Sequence, residues 1–207
     1  MENLKKTVLI LAFLTINGFL VFSISDAVKQ ASVYKSYEFE KANNYIAAIN
    51  ELNKIYDAGD YFINIRLGWL NYLTKQYSAS IKFYEKAILL NPYAIEAKFG
   101  KIKPLSAIED WEKVKQQYLQ ILKIDPQNTV ANYWMGLIYY NRKDYNNAVK
   151  LFEKVVNLYP LDYDSVVMLA WTKLYIGKLV EAKILFNQAL VLRPNDSTAK
   201  SGLKLIK

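Results

Sequence analysis

The sequence predicts an all-α protein, an α-solenoid of stacked antiparallel helix hairpins, and three observations carry that prediction. Pro92, Pro126, Pro160 and Pro194 stand 34 residues apart. Ahead of each proline three columns keep the same step: Ser80, Val114, Ala148 and Ala182; Tyr84, Tyr118, Phe152 and Phe186; Ala87, Ile121, Val155 and Ala189. Within a period, two apolar runs of helical spacing are separated by a short polar break. A fixed period of this size marks supersecondary units that cannot bury their own apolar face and gain stability from their neighbours. The small residues let two helices approach closely, and the aromatic ones fill the space between them.

Taken in chain order, residues 1–27 stand apart from the repeats. Lys5 and Lys6 precede Thr7 to Ile24, a run of 18 residues without a charge. A secretory signal has a shorter apolar core and a spanning helix needs about 20 residues, so the segment reads as either a cleaved signal peptide or a retained membrane anchor. Ser25-Asp26-Ala27 offers small residues for cleavage, and Asn17-Gly18 weakens a stable span. Under both readings the basic end stays cytoplasmic and the repeats are exported, periplasmic or otherwise extracytoplasmic. The segment 28–60 reads as a degenerate first hairpin, with Tyr45, Ala48, Leu52 and Ile55 on its second helix and Ala31 to Lys41 supplying the first.

Full repeats are expected at 61–94, 95–128, 129–162 and 163–196. In the third of these, Thr129 to Asn141 is apolar on nearly all sides, Arg142-Lys143-Asp144 interrupts, and Tyr145 to Leu158 resumes the helical pattern. Proline after each second helix cuts one hairpin from the next, because it lacks an amide donor and turns the preceding residue away from helical angles. In the repeat at 95–128, Pro104 falls inside the first helix, where it is expected to kink or shorten it. Asn195-Asp196-Ser197 supplies capping side chains for a terminal helix in 197–207 that covers the last hairpin.

The residues then resemble a known family. Met135-Gly136-Leu137-Ile138-Tyr139-Tyr140, Asp144-Tyr145-Asn146-Asn147-Ala148-Val149, Phe152-Glu153-Lys154-Val155 and Pro160 are similar in register to the Leu-Gly-x-x-Tyr, Tyr-x-x-Ala, Phe-x-x-Ala and Pro pattern of the tetratricopeptide repeat. Leu67, Gly68, Tyr77, Tyr84, Ala87 and Pro92 follow it in one repeat, and Leu169, Ala170, Ala182, Phe186, Ala189 and Pro194 in another. The repeat at 95–128 departs from it, with Lys101 and Ile102 at the Leu-Gly position. The resemblance implies a right-handed superhelix whose first helices line a concave face.

Composition narrows the chemistry. The chain has no histidine and no cysteine, which removes the commonest general base and metal ligand, thiol nucleophiles and disulfides. No Gly-rich phosphate loop or calcium-loop spacing occurs, so no enzymatic activity, cofactor or metal is predicted. Asp110, Asp125 and Asp144 fall at turns, where capping accounts for them. A net charge of +8 would suit nucleic acid, yet lysines alternate with glutamates as on solvated helix faces, and no nucleic-acid partner is expected. Lys98, Lys101 and Lys103 read as ordinary surface on one helix.

The resemblance places Trp69, Tyr72, Tyr133, Tyr140, Trp171 and Tyr175 on the concave face, where aromatic residues anchor partners well. Gap filling between hairpins is the competing reading, and it is preferred for Trp134. The family's lysine and asparagine clamp for a terminal carboxylate is absent, since Ile65, Trp69, Tyr133 and Leu137 hold those places. The chain is therefore expected to be a non-catalytic protein-interaction scaffold. Two alternatives stand beside it: a self-assembling, homo-oligomeric component of an envelope complex, and a binder of a cell-wall glycan.

Overall fold

The computed structural model describes residues 26–206. The apolar run from Thr7 to Ile24, read as signal or anchor, lies outside the described residues. Among the described residues there are helices and no strands, and none of those helices is long and apolar enough to cross a membrane. The chain divides after Pro92 into two compact units.

The first unit holds α1 over 26–41, α2 (Tyr45–Asn53), α3 (Tyr61–Leu73) and α4 (Tyr77–Leu90). Asp26 and Ala27, placed with the export segment on sequence grounds, already belong to α1. Helix α2 packs on α3, and α3 on α4. Ala48 and Leu52 meet Ile63, Leu67 and Leu70 in a fully buried core, with Val33 and Phe39 of α1 against it. Helix α2 has 9 residues where α4 has 14.

The second unit runs through α5 (Ile95–Ala107), α6 (Trp111–Ile124), α7 (Thr129–Asn141), α8 (Tyr145–Leu158), α9 (Tyr163–Tyr175), α10 (Leu179–Leu192) and α11 (Ser197–Leu205). Every helix packs on the next in line, and α11 also reaches α9. The three sequence columns are buried throughout, from Ser80, Tyr84 and Ala87 in α4 to Ala182, Phe186 and Ala189 in α10. Close packing at these columns demands small neighbours. A Cβ built on Gly68 would lie 3.0 Å from the Tyr84 ring, one on Gly136 2.8 Å from Phe152, and one on Gly202 2.1 Å from Phe186. Gly202 sits on α11, so the terminal helix covers the last hairpin by bringing its backbone onto an aromatic ring.

Two further columns of the same period are visible only in three dimensions. Asp60, Asn128, Asp162 and Asp196 each accept a hydrogen bond from a backbone N–H in the first turn of the following helix, which satisfies one of the donors a helix start leaves open. Ala94 occupies that column ahead of α5 and makes no side-chain cap. Lys75, Glu109, Lys143 and Gly177 form the other column, in the left-handed region with φ of 61°, 59°, 61° and 79°. Each ends a first helix through a long-loop bond, such as Asp144 N–H to Tyr139 O at 2.9 Å, the usual way a helix is turned sharply into the next.

Of the two effects expected of Pro104, a kink or a shortened helix, the second does not occur. Helix α5 keeps 13 residues, as many as α3, α7 and α9, so the proline does not shorten it. It lies buried in the last turns, where a single lost N–H bond is offset by packing. Lys98 is a second correction. Only 3% of it is exposed, so it is a core position, and burial pushes its ammonium below the usual lysine range. Of the three lysines, only Lys103 is exposed.

Candidate functional site

Asp110 and Asp144 cap α6 and α8 by accepting from Lys113 N–H and Asn147 N–H, and Asp125 accepts from Gln127 N–H at 3.1 Å. These carboxylates have the structural work that sequence assigned to them. Among the described residues no group of three or more potential ligands is arranged to hold a metal.

In the first unit Trp69 and Tyr72 lie on α3 with ring centroids 5.7 Å apart, and Tyr77 follows at 6.1 Å from Tyr72. Trp69 is half-buried. Its indole N–H donates to Glu40 Oε1 at 2.7 Å, and Glu40 also pairs with Arg66 at 2.5 Å. Arg66 in turn lies 3.9 Å over the ring of Tyr37. This side of α3 is therefore tied to α1 by an ion pair and a cation–π contact.

The second unit gathers a larger group. Tyr140 at the end of α7 and Tyr175 at the end of α9 are 5.9 Å apart, Trp171 stacks on Tyr175 at 5.9 Å, and Tyr145 of α8 stacks on Tyr175 at 4.7 Å. Trp171 also meets buried Phe186 edge-on at 5.3 Å, so its inner edge belongs to the core. Tyr175 remains 50% exposed. Burial, then Tyr175, holds the hydroxyl of Tyr140 well above the usual phenol range, so it is a hydrogen-bond donor at any physiological pH. Sequence reading brought Tyr140, Trp171 and Tyr175 to this place and missed Tyr145. The signal for Tyr145 was present in the column of Tyr77, Trp111, Tyr145 and Leu179 at the start of each second helix.

Tyr133 lies two turns before Tyr140 on the same face of α7, apart from the ring cluster. It pairs edge-on with Trp134 at 5.8 Å and with Phe152 at 5.9 Å. Here α7, the end of α8 and the start of α9 enclose a pocket of about 630 Å³, with walls from Val130, Tyr133, Trp134, Leu158, Tyr159 and Leu161 and a rim that includes Asp162 and Asp164. Burial, then Asp164 and Asp162, raises the hydroxyl pKa of Tyr133. Trp134 is 47% exposed and lines this pocket, so it is not the gap filler that its place beside the groove columns suggested. The reason is helical geometry: one residue beyond Tyr133 turns the side chain outward by about 100°.

Two family models of the tetratricopeptide repeat match the chain, one at residues 63–93 and the other at 130–162. The chain is 28% identical over 130 residues to the BBSome complex member BBS4 of Mus musculus, a stretch covering 58% of this chain and 25% of that protein. It is also 28% identical over 152 residues to the Bos taurus counterpart, covering 71% of this chain and 29% of that protein. The chain thus spans only about a quarter of the length of these relatives.

Among solved structures it is similar to a tetratricopeptide repeat protein from Parabacteroides merdae, with a TM-score of 0.72 at 19% identity over 85% of this chain and 71% of that one. MamA gives 0.68 at 16% identity over 80% and 91%. YrrB, described as a TPR protein with an unusual peptide-binding site, gives 0.67 at 15% identity over 84% and 90%. At such identities the likeness is one of fold. Family models matched at two places and helix hairpins packed in sequence order converge on one conclusion: the chain carries tetratricopeptide repeats.

Proposed function

We propose that this chain is a non-catalytic interaction module, exported across a membrane or held at it by residues 7–24, that binds a segment of another protein along its first-helix faces. The observation that carries the reading is the ring cluster of Tyr140, Tyr145, Trp171 and Tyr175. Four large rings that brace one another and still reach solvent at Tyr175 have already lost their rotamer freedom, so a partner placed on them gains contact area at small entropic cost. Trp69 and Tyr72 of α3 supply a similar patch in the first unit, and Tyr133 extends the α7 face away from the cluster.

Crosslinking in intact cells followed by affinity capture tests this. The wild-type chain recovers a defined protein partner, and a Tyr140→Ala/Tyr175→Ala variant with unchanged circular dichroism loses it. Equal recovery by the variant removes the groove assignment. N-terminal sequencing of the same captured chain reports the fate of the apolar segment: a start near residue 28 means cleavage, an intact start means an anchor, and a chain found wholly in the cytoplasm overturns export.

A further inference from the structure

The pocket beside Tyr133 carries a charge opposite to that of the chain. The chain has a net charge of +8, yet the residues lining this pocket include Asp162 and Asp164 and no lysine or arginine. Both carboxylates are exposed. Asp162 Oδ2 accepts the Ser165 N–H, which leaves its second oxygen outside the cap. Asp164 lies 3.6 Å from the Arg193 guanidinium, but Arg193 rests 3.7 Å over the Tyr163 ring and is not among the residues lining the pocket. Ser165, fully buried, also lines the pocket, and its hydroxyl has no hydrogen-bond partner.

The remaining wall is apolar and aromatic. Trp134 stands edge-on to Tyr133 at 81°, and Tyr159 and Leu161 are exposed on the turn after α8. A volume of about 630 Å³ lies within the range of ligand-sized clefts and holds more than one side chain. An aromatic surface beside carboxylates suits a group with a positive head and an apolar body. Such a head pairs with the acids and lies against the indole, and its methylene stem covers the apolar wall.

We propose that this pocket receives a lysine or arginine of a partner protein together with an adjacent apolar side chain, so that the recognised segment is basic and apolar by turns. The proposal rests on the scaffold reading, since it names the chemistry of a partner for the same α7 and α9 face. It also assigns a role to Trp134, Asp162 and Asp164, which that reading does not use.

The test titrates the full chain, by calorimetry, with three blocked pentapeptides: Gly-Leu-Arg-Phe-Gly, the same peptide with Glu in place of Arg, and Gly-Ser-Arg-Ser-Gly. The first binds about tenfold or more tighter than either of the others, and the preference shrinks as salt is raised. Asp162→Asn, which keeps a capping side chain, and Asp164→Asn each weaken it about threefold or more, as does Trp134→Ala. Equal affinity for the Arg and Glu peptides, no binding, or indifference to both Asn variants overturns the proposal. Tyr140→Ala/Tyr175→Ala leaves peptide selectivity intact. If partner capture depends on those tyrosines while the peptides go unrecognised, the pocket assignment falls and the scaffold reading stands.

Discussion

Asp60, Asn128, Asp162 and Asp196 show how one capping role is reused along the chain at a step of 34 residues, with a single gap. Each sits one residue before a first helix and accepts from its first turn. The divergent repeat has Ala94 there, with φ of −70° and ψ of 124°, a backbone that already has the extended shape of a cap. Ala94→Asp therefore needs no rearrangement, and it is expected to stabilise the second unit by about 0.5–2 kcal/mol, measured as a shift in the denaturant midpoint at constant slope. No shift would mean that α5 gains nothing from a capped start. The left-handed column is a matching cost. Gly177 adopts φ of 79° freely, whereas Lys75, Glu109 and Lys143 hold the same conformation against the steric preference of side chains.

At the scale of elements, ion pairs join helices that packing has brought together. Lys173 of α9 is nearly buried and pairs with Glu153 of α8 and with Glu181 of α10 at 2.7 Å. Burial opposes its charge, but the two carboxylates prevail and raise its pKa, while Lys173 and then Lys178 lower that of Glu181. The signs follow. Glu181 contributes stability that is complete above its ordinary value of 4.5 and is lost as pH falls through its lowered folded value. Lys173 contributes stability that is complete below 10.5 and is lost as pH rises through its raised folded value. Denaturant midpoints followed from pH 7 downward and upward are expected to decline less steeply at both ends in Lys173→Met than in wild type. Parallel profiles would show that the bridge contributes nothing.

Much of this element-level order was legible beforehand, because period and apolar spacing report burial directly: α7 and α8 occupy the stretches that the pattern marked out. What escaped was decided by neighbours. Pro104 is expected to kink or shorten its helix, yet α5 keeps its full 13 residues around a buried proline. Lys98 was read as surface because charge marks exposure on average, and only the helix's orientation reveals that it points inward. Trp134 was read as filler because it adjoins groove columns, although adjacency on a helix separates side chains. The register of the repeat puts Tyr140, Trp171 and Tyr175 on first helices, and their rings do meet. Tyr145 and the acidic pocket arise where three helices meet, which no single-helix pattern encodes.

For the molecule as a whole, the division after Pro92 into two compact units bears on cooperativity. Trp69 reports on the first unit, and Trp111, Trp134 and Trp171 report on the second. Variants retaining Trp69 alone or Trp171 alone are expected to unfold at different denaturant concentrations, because units with separate cores need not melt together. Coincident midpoints would show one cooperative transition. The packing within each unit has a consequence for speed. Each helix rests on its neighbour in the chain, and the longest step described is from α9 to α11, so few contacts wait for remote sequence to arrive. Chains of such low contact order fold fast, and a hairpin can close as soon as its second helix has been synthesised.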